Sequence, residues 1–121
     1  MAFTSSVRDA MLDLIDETGA TAATHVSLHT DDPGTTGADE VTGGSYARQA
    51  VTWGAASGGS KANSSALTFS VPAGTTITHV GLWTASTNGT FLGGGPLDSP
   101  QSYPTGGTYT INPGDLEATL T

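Results

Sequence analysis

With 121 residues, the chain is long enough for one domain whose single core needs no covalent staples. Eleven carboxylates face only three bases, Arg8, Arg48 and Lys61, for a formal net charge of −8, which argues against nucleic acid and against an anionic membrane surface as partners. The absence of cysteine excludes disulfides and thiolate metal sites, and no apolar run nears the ~20 residues of a membrane-spanning helix.

The segment Met1 to Ser6 lacks the basic start and apolar stretch of a signal peptide, so cytoplasmic synthesis is expected. Residues 6–17 carry the one stretch with helical spacing. Val7, Ala10, Met11, Leu14 and Ile15 form an apolar stripe, Ser5 or Ser6 can cap it, Asp9 and Asp13 suit its early turns, and Gly19 can end it. About four turns of helix need a docking surface, either the chain's own sheet or a neighbouring subunit. Val7, Met11 and Leu14 are therefore candidate oligomer-interface residues, and the chain divides into a helix over 1–19 and a β domain over 20–121.

After Gly19 the period switches to two. His25 to Thr30 alternates, with Val26 and Leu28 inward. A long polar loop follows from Asp31 to Gly44, and then a strand from Tyr46 to Trp53 with Val51 and Trp53 inward. Gly54 to Asn63 reads as a small-residue loop, and Leu67, Phe69 and Val71 alternate strictly up to Pro72. The run from Thr76 to Trp83 is apolar on both faces, which suits a central strand. Asn88-Gly89 marks a hairpin turn before Phe91-Leu92. A loop over 93–107 is expected next, with strands from Tyr103 to Ile111, broken at Gly106-Gly107, and from Leu116 to Leu120. Glycine, threonine and serine fill 50 of the 121 positions, and the regular apolar alternation between them sets disorder aside. The fold expected is an all-β, antiparallel, jelly-roll-like sandwich of about seven or eight strands with one N-terminal helix. Its core draws on Val26, Leu28, Val51, Leu67, Phe69, Val80, Leu82 and Leu120.

The sequence offers little reactive chemistry. His25 and His29 stand four apart, but on a strand that means about 13 Å at 3.3 Å per residue, so they cannot share an ion and are read as solvent-facing. Gly54 to Lys61 has the composition of a phosphate loop but leads into a strand rather than a helix. Asp31, Asp32, Asp39 and Glu40 form the one weak calcium candidate. Their spacing is not that of an EF-hand, and turn carboxylates are the favoured reading. No Gly-x-Ser-x-Gly elbow occurs, and no base is seen oriented towards a serine. Trp53 and Trp83 alternate with core positions, so they read as buried rather than as sugar platforms. No catalytic residue, cofactor or essential metal is expected.

Four segments are distinctive in their order: Val26-Ser27-Leu28-His29-Thr30-Asp31-Asp32-Pro33-Gly34-Thr35-Thr36-Gly37, then Gly43-Gly44-Ser45-Tyr46-Ala47-Arg48-Gln49, then His79-Val80-Gly81-Leu82-Trp83, then Phe91-Leu92-Gly93-Gly94-Gly95. Over roughly residues 20–121 the chain resembles a family of small tail-fibre or minor tail proteins of actinobacterial phages and prophages. The resemblance implies a structural role in the virion beside other tail or capsid subunits, and carries no catalytic residues with it. A head decoration protein and a host-surface carbohydrate-binding module are the alternatives, with a small hydrolase last. A domain of this size is expected to act as a homo-oligomer, with trimers suggested by analogy to phage fibres.

Overall fold

Strand formation follows the two-residue alternation wherever β-branched and aromatic residues carry it. The computed structural model describes residues 23–58 and 60–119. The predicted helix over 6–17, with Val7, Met11 and Leu14, and the core candidate Leu120 lie outside them. Among the described residues there are eight strands: β1 (His25–His29), β2 (Gln49–Ala50), β3 (Ser60–Ala62), β4 (Leu67–Val71), β5 (Thr75–Trp83), β6 (Phe91–Tyr103), β7 (Gly107–Ile111) and β8 (Glu117–Thr119). All pairings are antiparallel. They form a four-stranded sheet in the order β2-β1-β5-β6 and two pairs, β3–β8 and β4–β7. Among the described residues there is no helix.

One apolar core joins the four-stranded sheet to the β4–β7 pair. The sheet contributes Val26, Leu28 and Ile77, the pair contributes Leu67, Phe69, Val71 and Ile111, and the connecting segments add Val41 and Val51. Five of the expected core residues, Val26, Leu28, Val51, Leu67 and Phe69, are buried. Val80 and Leu82 are only half-buried and pack on the rim of that core. They sit opposite Leu28 and Val26 in register, so their face was read correctly and their depth was not. Ile77 joins the same cluster although it is odd-numbered like His79 and Trp83. The register between β5 and β6 shifts between Ile77 and His79, and there the alternation changes phase.

Two segments depart from expectation. β6 extends through most of the expected 93–107 loop, because its backbone pairs along β5 even though Gly93-Gly94-Gly95, Pro96 and Pro100 are poor strand formers. Prolines are tolerated because β6 is the edge of the sheet, and four residues, 97–100, stand opposite Thr78 alone at the register shift. The Tyr46–Trp53 segment, by contrast, pairs over only two residues, and Trp53 makes an isolated bridge to Asn63. The presumed loop 54–63 holds β3, whose Lys61 is buried against β8. The Asn88-Gly89 turn is present, with both residues at positive φ.

Asn63, almost fully buried, closes the end of the fold. Its amide nitrogen donates to the Ser65 and Asn112 carbonyls, and its side-chain oxygen accepts from the Gly114 and Leu116 amides. Every polar position on this side chain is thereby satisfied, which is the condition for burying it.

Candidate functional site

The two faces of β1 differ in chemistry. Val26 and Leu28 face the core, whereas His25, Ser27 and His29 lie opposite Trp83, Gly81 and His79 of β5, with Phe91 of β6 beside Trp83. From Ser27 to His29 this second face of β1 is sealed. Ser27 and His29 are 0% exposed and Trp83 is 9% exposed, correcting the solvent-facing reading of His29. The cover is the segment after β1. Gly37, at φ 79°, lies where any side chain would run into the Trp83 ring. The Thr30 amide donates to the Asp39 carbonyl, and the Val41 amide to the Leu28 carbonyl.

Beneath that cover runs a chain of side-chain hydrogen bonds. His29 Nδ1 is 2.7 Å from the Ala38 carbonyl, which can only accept, so Nδ1 carries the proton and Nε2 is left to accept. The Ser27 hydroxyl, 2.6 Å from Nε2, donates to it, and the Ser27 Oγ accepts from the Trp83 indole N–H at 2.8 Å. A base is thus oriented towards a serine, contrary to the sequence reading. This is the connectivity of an activated nucleophile, but not its setting. A Cβ on Gly81 would fall 2.7 Å from Ser27 Oγ and 2.8 Å from His29 Nε2, so backbone fills the place a reacting atom would need.

Beside this chain, Arg48 ties four segments together. Its Nε and Nη2 form a fork on the two Glu40 oxygens at 3.0 and 2.9 Å, and Nη1 donates to the Ala85 and Asn88 carbonyls of the β5–β6 hairpin. The guanidinium lies 3.6 Å over the Trp83 ring. Tyr46 donates to Glu40 Oε2, accepts from the Leu28 amide, and stacks on Phe69 in the core. An open depression of about 390 Å³ lies at this joint, walled by Glu40, Tyr46, Arg48, Ser86, Thr87 and Asn88. Burial pushes the Tyr46 phenol up. For Glu40, burial acts upward too, but the hydrogen bonds from Arg48 and Tyr46 and the Arg48 charge outweigh it and hold the carboxyl below its ordinary range.

The calcium candidates are dispersed. Asp31 Oδ1 accepts from the Asp32 amide, Asp32 Oδ1 accepts from the Gly34 amide, Asp39 sits at positive φ, and Glu40 is held by Arg48. Among the described residues no three His, Cys, Asp or Glu side chains gather where a metal could be held. His25 is half-buried and bonded to Thr24. Sequence reasoning missed Ser27, Tyr46 and Arg48 as hubs. The usable signal was Gly81, a glycine inside a central strand, which marks close approach of another group.

Burial lowers the His29 pKa, with His79 and Arg48 adding to it against the opposing pull of the Ala38 carbonyl and Glu40. As pH falls, the unfolded chain therefore takes up this proton first. The contribution of His29 to stability is complete above about pH 6.5 and is lost as pH drops from there through its lowered folded value. His25, lowered by partial burial and by Arg48, adds in the same direction. The Glu40 contribution follows below about pH 4.3. Urea melts between about pH 7.5 and 5 are expected to show falling stability in the wild type and a flatter profile in His29→Gln. Equal slopes would assign the effect to another group.

Among the described residues the architecture is antiparallel β, and the serine–histidine pair it holds is sealed from solvent. The chain belongs to the podophage GP4 fiber I protein gp80 family, whose model matches residues 2–119. It is a phage tail fibre protein and a component of the virion, on the tail rather than as a head decoration. No curated protein matches it.

Proposed function

We propose that this domain serves the fibre as a non-catalytic subunit working in several copies, with a trimer as the expected organisation. The observation that supports this best is the sealed Ser27–His29–Trp83 chain in a member of a fibre family: the geometry is spent on holding a loop, not on a substrate. We read the four-stranded sheet and the β4–β7 pair, which share one core, as the two layers of a β-sandwich over residues 20–121. The 1–19 segment is read as an amphipathic helix that docks through Val7, Met11 and Leu14. The likeness to actinobacterial phage proteins supports a host of that group, which adsorption assays on such hosts would check.

Sedimentation and circular dichroism of a Met11→Asp, Leu14→Asp double variant test the assembly. The variant is expected to be monomeric with the β spectrum intact, against an oligomeric wild type. A wild type that stays monomeric at high concentration would end the proposal. No metal or cofactor enters this reading, so chelator treatment is expected to leave Tm unchanged. A drop reversed by calcium would promote the Asp31–Glu40 segment from turn to site.

A further inference from the structure

We propose that segment 31–40 is an acid-released lid, closed over the second face of β1 only while the His29 ring is uncharged and freed on protonation with the strands still paired. Both ring nitrogens are committed, one as donor to the Ala38 carbonyl and one as acceptor from Ser27. That set fits the neutral ring alone. A second ring proton turns Nε2 into a donor aimed at Ser27 Oγ, which already receives the Trp83 N–H, and the serine's own proton loses its acceptor.

The surroundings cannot absorb the new charge while the lid is closed. Ser27 faces His29 from its own strand, His79 and Trp83 from β5, the edge of Phe91 from β6, and Ala38 and Glu40 from the lid, with Arg48 nearby. Glu40 is the one carboxylate in this set, and Arg48 and Tyr46 already hold it. Arg48 repels the cation. The charge is best relieved by water, and the lid is the cheapest barrier to remove. Asp31, Asp32, Gly34, Thr35, Thr36, Ala38 and Asp39 are exposed, and Pro33 is the lid's one buried apolar residue. Beyond that, Gly37 against two rings and a few hydrogen bonds hold residues 31–39, with Glu40, fixed by Arg48 and Tyr46, as the hinge that stays in place, whereas β1 keeps its full ladder to β5. Exposed, sparsely packed segments open at low free energy. Opening uncovers the edge-packed pair of Trp83 and Phe91.

Amide hydrogen exchange, corrected for its intrinsic pH dependence, tests this between about pH 7.5 and about pH 5, above the range where carboxylates ordinarily titrate. Gly37 and Ala38, whose amides donate to the Pro33 carbonyl, report on the lid, and the β1 and β5 amides report on the sheet. Lid protection is expected to fall at least about tenfold at the lower pH while sheet protection holds. His79→Gln and His25→Gln should keep this response, and His29→Gln should abolish it. Unchanged lid protection, an equal loss in His29→Gln, or simultaneous loss in the sheet would each overturn the proposal. Should His29→Gln fail to fold, Ser27→Ala decides. It removes the hydroxyl that holds Nε2 unprotonated, so lid release should shift to higher pH, and an unmoved midpoint would sink the idea.

Discussion

Phe69→Ala is expected to cost about 3–5 kcal/mol, the usual range for emptying a fully buried phenylalanine site. Phe69 is 0% exposed at the middle of β4, opposite Tyr109 of β7. It also stacks on Tyr46 at 6.4 Å between ring centroids, and Tyr46 in turn holds Glu40. The cavity would therefore open beneath the Arg48 joint as well as between the strands. Urea denaturation with an unchanged m-value is the measurement, and a loss below about 1 kcal/mol would mean that the ring is not the core's centre.

Glu40→Ala should cost about 3 kcal/mol, the low end for removing one partner of a buried ion pair, because its side chain keeps 20% of its exposure. The cost is the state left behind. Arg48, with only 9% of its side chain exposed, loses the acceptor for two of its four hydrogen bonds, and Tyr46 loses the acceptor for its hydroxyl. Arg48→Met removes the charge and the imbalance together. In a double-mutant cycle the Glu40→Ala, Arg48→Met variant should therefore be destabilised by clearly less than the sum of the single variants. Additive losses, or a Glu40→Ala cost below about 1 kcal/mol, would show that the fork on Glu40 is incidental.

What could be read from the sequence divides along physical lines. β1 and β4 were legible because one face of each is apolar in residue type and the other is polar, so the period of two is written in the sequence, and β5 because its apolar residues fall on both faces, as suits a central strand. β6 was illegible for the opposite reason: backbone pairing alone makes it a strand, and glycine and proline carry no signal of that. The candidate site was harder still. His29 and Ser27 occupy the polar side of their alternation, and only a loop folded back over that side makes it interior. Burial by a loop depends on contacts such as Gly37 on Trp83, between residues 46 positions apart, which no local pattern contains. The fork of Arg48 on Glu40 has the same character, reaching the hairpin carbonyls some forty residues on.

The outer strands of the four-stranded sheet bear on how copies would crowd together in the proposed assembly. A sheet with long, regular, unpaired margins is a template on which further chains add, and close packing of many copies raises that hazard. Here one margin, β2, is two residues long, and the other, β6, is interrupted by Pro96 and Pro100, which offer no N–H to an incoming strand, and by the irregular stretch between them. Among the described residues these features shorten the run of pairing that either margin can template, to two residues on β2 and to residues 91–95 ahead of Pro96 on β6. In the multi-copy fibre proposed above, neighbouring subunits would recognise one another through loops and side chains, contacts that saturate at a fixed stoichiometry instead of growing without end.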